Sequence, residues 1–133
     1  FYEKMLSKDG SQACADCHKQ EDAFSDIRQF SLGVEGLPGK RQAMPVMNLA
    51  WHANGLFWDG RAPHVRDQSL KPIQDPLEMN ETLPNVVAKL SADKRYTDQF
   101  IRAFGILYVN TFLCQTYVVA ASARVLDSLS LKA

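Results

Sequence analysis

The sequence predicts an all-α domain interrupted by one long, ordered central loop, and three observations lead there. Apolar residues recur at helical spacing in several segments. No stretch alternates apolar and polar residues as a half-buried strand does. Between about Phe30 and Gln74, glycine or proline at 33, 36, 38, 39, 45, 55 and 60 breaks every regular period. A loop of that length inside a compact domain is unusual and is commonly functional.

The elements follow in chain order. Met5 and Leu6 precede a polar turn, Ser7 to Ser11, and a short helix is expected over Ala13 to Lys19. Pro63 can open a second helix through Leu70, which must stop before Pro72. Thr82 can cap a third, with Val86, Val87 and Leu90 on one face. That helix breaks near Ser91-Ala92-Asp93, and the next brings Tyr96, Phe100 and Phe104 together before Gly105 ends it. In the last helix, Cys114, Val118, Ala121, Val125 and Leu129 form a core-facing stripe, which makes Cys114 a buried small hydrophobe.

Composition bounds the rest. With 133 residues, one core is expected. Hydrophobic residues at 46% and charged residues at 23% argue against disorder. Lys+Arg and Asp+Glu both total 15, so charge offers no reason to expect nucleic acid or an anionic membrane as partner. The longest apolar runs, such as Tyr117 to Ala121, are far too short to span a bilayer. Phe1-Tyr2-Glu3-Lys4 lacks the features of a signal peptide, as expected of a processed or trimmed start. No internal repeat is present, and Trp58-Asp59 occurs once.

Cys14-Ala15-Asp16-Cys17-His18 carries the chemistry. Cysteines three apart share one helix face, so both thiols can reach the two vinyl groups on one haem edge. His18 then follows as an axial ligand to the iron. A redox dithiol would ask for a strand-then-helix context, and a structural zinc site for a fourth ligand at workable spacing. Neither is found. The group opposite His18 decides the function. A methionine (Met44, Met47 or Met79) would make a closed electron carrier, and a vacant position would make a catalyst. Composition and periodicity leave that choice open.

Further ordered blocks accompany the motif. Leu6-Ser7-Lys8-Asp9-Gly10 leads into it; Ala23-Phe24-Ser25-Asp26, the glycine loop Gly33 to Gly39, Arg41 and Asn48-Leu49-Ala50 follow. Then come Phe57-Trp58-Asp59-Gly60-Arg61-Ala62, the most specific block, Gln68, Pro72, and Glu78-Met79. From Leu6 to Ser128 the chain resembles the amino-terminal, peroxidatic domain of bacterial di-haem cytochrome c peroxidases. The related di-haem enzymes that mature a tryptophan-derived quinone cofactor share this domain. The resemblance implies a cytochrome-c-like fold with one covalent haem c, reduction of hydrogen peroxide to water, and a periplasmic location in a bacterium. It makes His18 the proximal ligand, puts Gln68, Pro72 and Glu78 around the distal pocket, and makes Trp58 the conduit for electrons from a second haem or a small donor protein. It leaves a homodimer open. Glu78 over the iron would move a proton between the peroxide oxygens, and Gln68 would orient the peroxide.

Taken residue by residue, general habits read differently. Trp58 beside Phe57 would be core, and Glu78 a surface acid. His52 and His64 would be ordinary histidines. Arg61 would pair with Asp59 or a haem propionate, of which the propionate is preferred. Gly33 to Lys40 is no phosphate loop, because Arg41 stands where Ser or Thr should bind magnesium.

Three departures from the family pattern matter. Gln29 to Gln42 holds no histidine where many family peroxidases carry one that caps the resting haem, so the iron is expected to be open or water-bound at rest, with His52 or His64 as the alternative sixth ligand. Gln42 stands where an asparagine helps hold calcium between two domains, which argues against calcium. The chain has one Cys-x-x-Cys-His, so it is expected to be one domain of a longer protein whose second haem domain lies elsewhere.

Overall fold

Asp16 caps its own helix: its carboxylate accepts the Ala13 N–H at 2.7 Å, and a single turn, α1 (Cys14–Cys17), results. The helix is shorter than the expected 13–19 span. His18 leaves helical dihedrals (φ −111, ψ 75) while its N–H still closes the turn on the Cys14 carbonyl at 2.9 Å. The computed structural model describes residues 1–105, and the expected last helix through Cys114, Val118, Ala121, Val125 and Leu129 lies outside the described residues.

Among the described residues the protein is helical, with no strand beyond three isolated bridges. After α1 come α2 (Val65–Ser69), α3 (Lys71–Gln74), α4 (Leu83–Ala92) and α5 (Lys94–Phe104). The second helix does stop before Pro72, at Ser69, but a new turn begins two residues later. Pro72 sits in the first turn of α3, where a missing N–H costs nothing. From 18 to 64 the regular structure consists of short 3₁₀ turns, among them Val34–Gly36 and Leu49–Trp51. Bridges Leu32–Pro38 and Leu56–Ala62 close two tight excursions of this segment.

The helical pair α4 and α5 builds the core. Thr82 accepts the Asn85 N–H and caps α4; Asp93 accepts the Arg95 N–H and caps α5; Gly105, at φ +70, ends it. Val86, Leu90 and Phe100 are buried against Leu6, Ile73 and Met79, with Val87 and Tyr96 packed at the margin. Phe104, expected on the same face, is 38% exposed, although its ring stays 5.8 Å from Phe100. The core thus ties α3, the segment before α1 and the segment after α3 to one helical floor. Lys89 on α4 reinforces this, donating to the Ser7 carbonyl at 2.7 Å and pairing with buried Glu81.

The loop after α1 has its own anchor. Asp26 is fully buried and takes a two-pronged ion pair from Arg28, with Nη2 to Oδ2 at 2.6 Å. The Arg28 hydrogen bonds hold the Asp26 carboxyl down at about 2, against burial. Replacing Arg28 by Leu strands that charge. Losing one partner of a buried pair costs about 3–5 kcal/mol, and the lower end applies because Arg28 is a third exposed. The stabilisation is present above the unfolded carboxyl's pKa and is lost as pH falls through the native one, so the deficit of Arg28→Leu in urea unfolding should be largest near neutrality and shrink below about pH 4.

Candidate haem-binding site

The structure gathers the two halves of the predicted site around one cleft. A cavity of about 410 Å³, within the roughly 300–1,000 Å³ usual for ligand pockets, is lined by Cys17, His18, Trp58, Gln68, Pro72 and Glu78, among others. A second cavity of about 100 Å³ shares Cys17, His18, Gln68, Pro72 and Glu78 and adds Cys14 and Met79. The residues from α1 and those from α2 and α3, fifty and more positions apart, therefore face common space.

The donor set fits a covalently held haem. Cys14 and Cys17 are free thiols one turn apart, and burial raises both above the ordinary thiol pKa. His18 Nδ1 lies 3.1 Å from the Phe24 carbonyl. A carbonyl can only accept, so Nδ1 carries the proton and Nε2 keeps the lone pair that ligates a metal. Burial also lowers the His18 pKa, which keeps the ring neutral. Ala23 and Phe24 both hold left-handed dihedrals (φ 56 and 55), the strain that turns the Phe24 carbonyl toward the ring. Nothing in the residue types of 23 and 24 announces this, and sequence reasoning missed it.

Glu78 is no surface acid. Burial first, and the neighbouring Asp75 second, push its carboxyl up to about 7, with Arg61 opposing them. Such a group can both take and give a proton near neutral pH. Trp58 is no core residue either: it is 58% exposed at the cavity wall, and its indole N–H donates to the Gln42 carbonyl at 3.0 Å. Arg61 pairs with Asp59 at 2.9 Å and stacks 3.6 Å over the Phe57 ring while lining the larger cavity. Asp59 also binds Arg41 at 3.0 Å.

Of the other candidates, Met44 and His52 line the larger cavity. Met47 is at the surface, Met79 is buried in the core, and His64 precedes α2. Gln42 spends its amide on the Asp26 carbonyl at 2.5 Å. Among the described residues no group of three or more His, Cys, Asp or Glu side chains could hold a metal ion, and no helix is long and apolar enough to cross a membrane. Gln12 is a second residue the sequence did not single out. It is 6% exposed, lines both cavities and donates to Cys17 Sγ at 3.2 Å.

Fold and site together define a c-type haem-binding domain, helical, with the attachment turn facing a carboxylate-bearing wall. Residues 1–130 match the family model described as di-haem cytochrome c peroxidase, and the chain belongs to that family. It is 37% identical over 105 residues to the methylamine utilization protein MauG of Methylophilus methylotrophus, covering 79% of this chain and 31% of that protein. It is 33% identical over 105 residues to the cytochrome c peroxidase Ccp of Escherichia coli, covering 78% and 22%. The crystal structure of a MauG-like protein associated with microbial copper homeostasis superposes with a TM-score of 0.77 at 34% identity, over 92% of this chain and 36% of that one. The chain thus spans about a third or less of the relatives it matches.

Proposed function

We propose that this chain is the peroxidatic haem domain of a longer bacterial di-haem enzyme, cytochrome-c-like with a long ordered central loop, and that it reduces hydrogen peroxide to two waters with two electrons and two protons. One observation carries the reading: Cys17 and His18 share both cavities with Gln68, Pro72 and Glu78. Attached through Cys14 and Cys17 and ligated by His18, the haem would supply an iron that binds peroxide and exchanges electrons with it. The chain's own groups do the rest. Glu78 takes the proton from the inner peroxide oxygen and returns it to the outer one, which leaves as water. Gln68 offers its amide to orient the peroxide, and Pro72 walls the pocket without adding a donor. Trp58, exposed on the cavity wall, receives electrons from a second haem domain or a small redox protein. Covalent haem of this kind implies export, and hence the periplasm.

The competing reading is a mono-haem electron carrier with His/Met ligation. Met44 is its best candidate, because it lines the larger cavity together with His18. No histidine in Gln29 to Gln42 caps the iron. The haem-loaded protein is therefore expected to show a high-spin ferric EPR signal from this domain and a prompt optical change with peroxide. A purely low-spin signal with no peroxide response would establish the electron carrier instead.

A further inference from the structure

Gln12 sits two residues before the attachment turn and is more than nine-tenths buried. Its Nε2 donates in two directions, to Cys17 Sγ at 3.2 Å and to the Leu32 carbonyl at 2.8 Å. Its Oε1 is buried without a partner. Reversing the amide does not cure this, because Oε1 would then face the Leu32 carbonyl, acceptor against acceptor. A buried acceptor left unmade is costly to keep, and an apolar side chain of similar size would avoid it. Cys17 Sγ also donates directly to the Leu32 carbonyl at 3.6 Å, but a thioether has no S–H to do so. In the haem-attached protein the glutamine is what provides the bridge from Cys17 to Leu32.

Beyond Leu32 the chain runs straight into the wall that carries Glu78. The Val34 N–H donates to the Glu78 carbonyl at 2.7 Å, and Val34 is 1% exposed. Gly33 lies so close that a Cβ there would come within 2.0 Å of the Leu77 carbonyl oxygen and 2.8 Å of that of Glu78. The Gly33 N–H is itself held by Leu37, which closes the excursion. Cys17, Gln12, Leu32, Gly33-Val34 and Glu78 therefore form a continuous run of hydrogen bonds and close backbone contact.

We propose that Gln12 is a positioning residue: by clamping the Cys17 sulfur to the Leu32 carbonyl it sets the Gly33-Val34 strap, and through that strap the seat of the Glu78 carboxyl relative to the attached haem. The proposal rests on the haem-domain reading but not on Glu78's part in peroxide cleavage. Its test is the haem-loaded protein with Gln12→Leu, which keeps the volume and removes both donors. The readout is the infrared band of the Glu78 carboxyl, identified by its loss in Glu78→Gln and titrated with pH, beside a mass measurement of thioether attachment. Expected are both thioethers intact, a Glu78 midpoint moved by at least one pH unit toward the ordinary carboxylate range, and a peroxide reaction slowed by roughly tenfold or more. If Gln12→Leu does not load haem, Gln12→Asn, which keeps the amide and loses its reach, is read the same way. An unmoved Glu78 midpoint in a loaded variant overturns the proposal. So does failure of both variants to attach haem, which would make Gln12 an attachment determinant and nothing more. A moved midpoint alongside a Glu78→Gln protein of full activity would uphold the linkage and defeat the peroxidatic role of Glu78.

Discussion

Glu78→Gln is expected to slow the reaction of the haem-loaded protein with hydrogen peroxide at least tenfold, a floor set below the roughly 10²–10⁴-fold that a positioned acid–base group supplies. The glutamine is nearly the same shape and leaves the cavity wall in place, but it cannot shuttle a proton. The pH profile carries a second signature. Glu78 must be ionised to accept the first proton, and its carboxyl is pushed up to about 7 by burial and Asp75. The wild-type rate should therefore climb as pH rises through about 7 and then level, and the climb should vanish in Glu78→Gln. The same residue predicts a stability slope in the chain without haem. A raised acid favours folding below its unfolded pKa and loses that contribution as pH rises through the native value, by about 3 kcal/mol in all. Glu78→Gln should flatten that slope in denaturant titrations. A rate unchanged by the substitution would remove Glu78 from the chemistry.

Gly33→Ala should cost more than an ordinary surface change, although its backbone is ordinary. At φ −88 and ψ −167 the residue is simply extended, so alanine adds no conformational strain. The cost is steric alone. The new methyl would meet the Leu77 carbonyl oxygen at 2.0 Å and its carbon at 2.5 Å, and both are backbone that cannot rotate away. Overpacking typically costs about 1–3 kcal/mol, and backbone against backbone should reach the upper end or exceed it. Urea unfolding of Gly33→Ala against wild type measures it. Gly36→Ala is the control, because its Cβ would meet nothing, and its penalty comes only from a φ of +69. Equal, small losses at both positions would show that the strap and the Glu78 wall are not in close register.

The helical floor was legible in the sequence because capping and periodicity are local. Thr82, Asp93 and Gly105 mark helix ends by chemistry that acts within one turn, and Val86, Leu90 and Phe100 declare a face. The attachment motif was legible for the same reason, since Cys14 to His18 acts within five residues. What the residues alone could not show was anything set by distant backbone. Glu78 reads as a surface acid until α3 and the Gly33 strap enclose it, and Trp58 reads as core until its wall proves open. Arg61 had two partners within reach of reasoning, and one of them, Asp59, stands 2.9 Å away. The Phe24 carbonyl on His18 depends on two left-handed non-glycine residues, which tertiary packing imposes and composition does not forecast.

The account rests on one porphyrin held between the attachment turn and the Gln68–Glu78 wall. A crystal structure of the haem-loaded protein tests that most directly. It should show thioether bonds to Cys14 and Cys17, His18 Nε2 on the iron, and the Glu78 carboxyl over the opposite face with Gln68 beside it. An iron whose opposite face is filled by Met44 or His52, or a Glu78 carboxyl on the same side as His18, would contradict it.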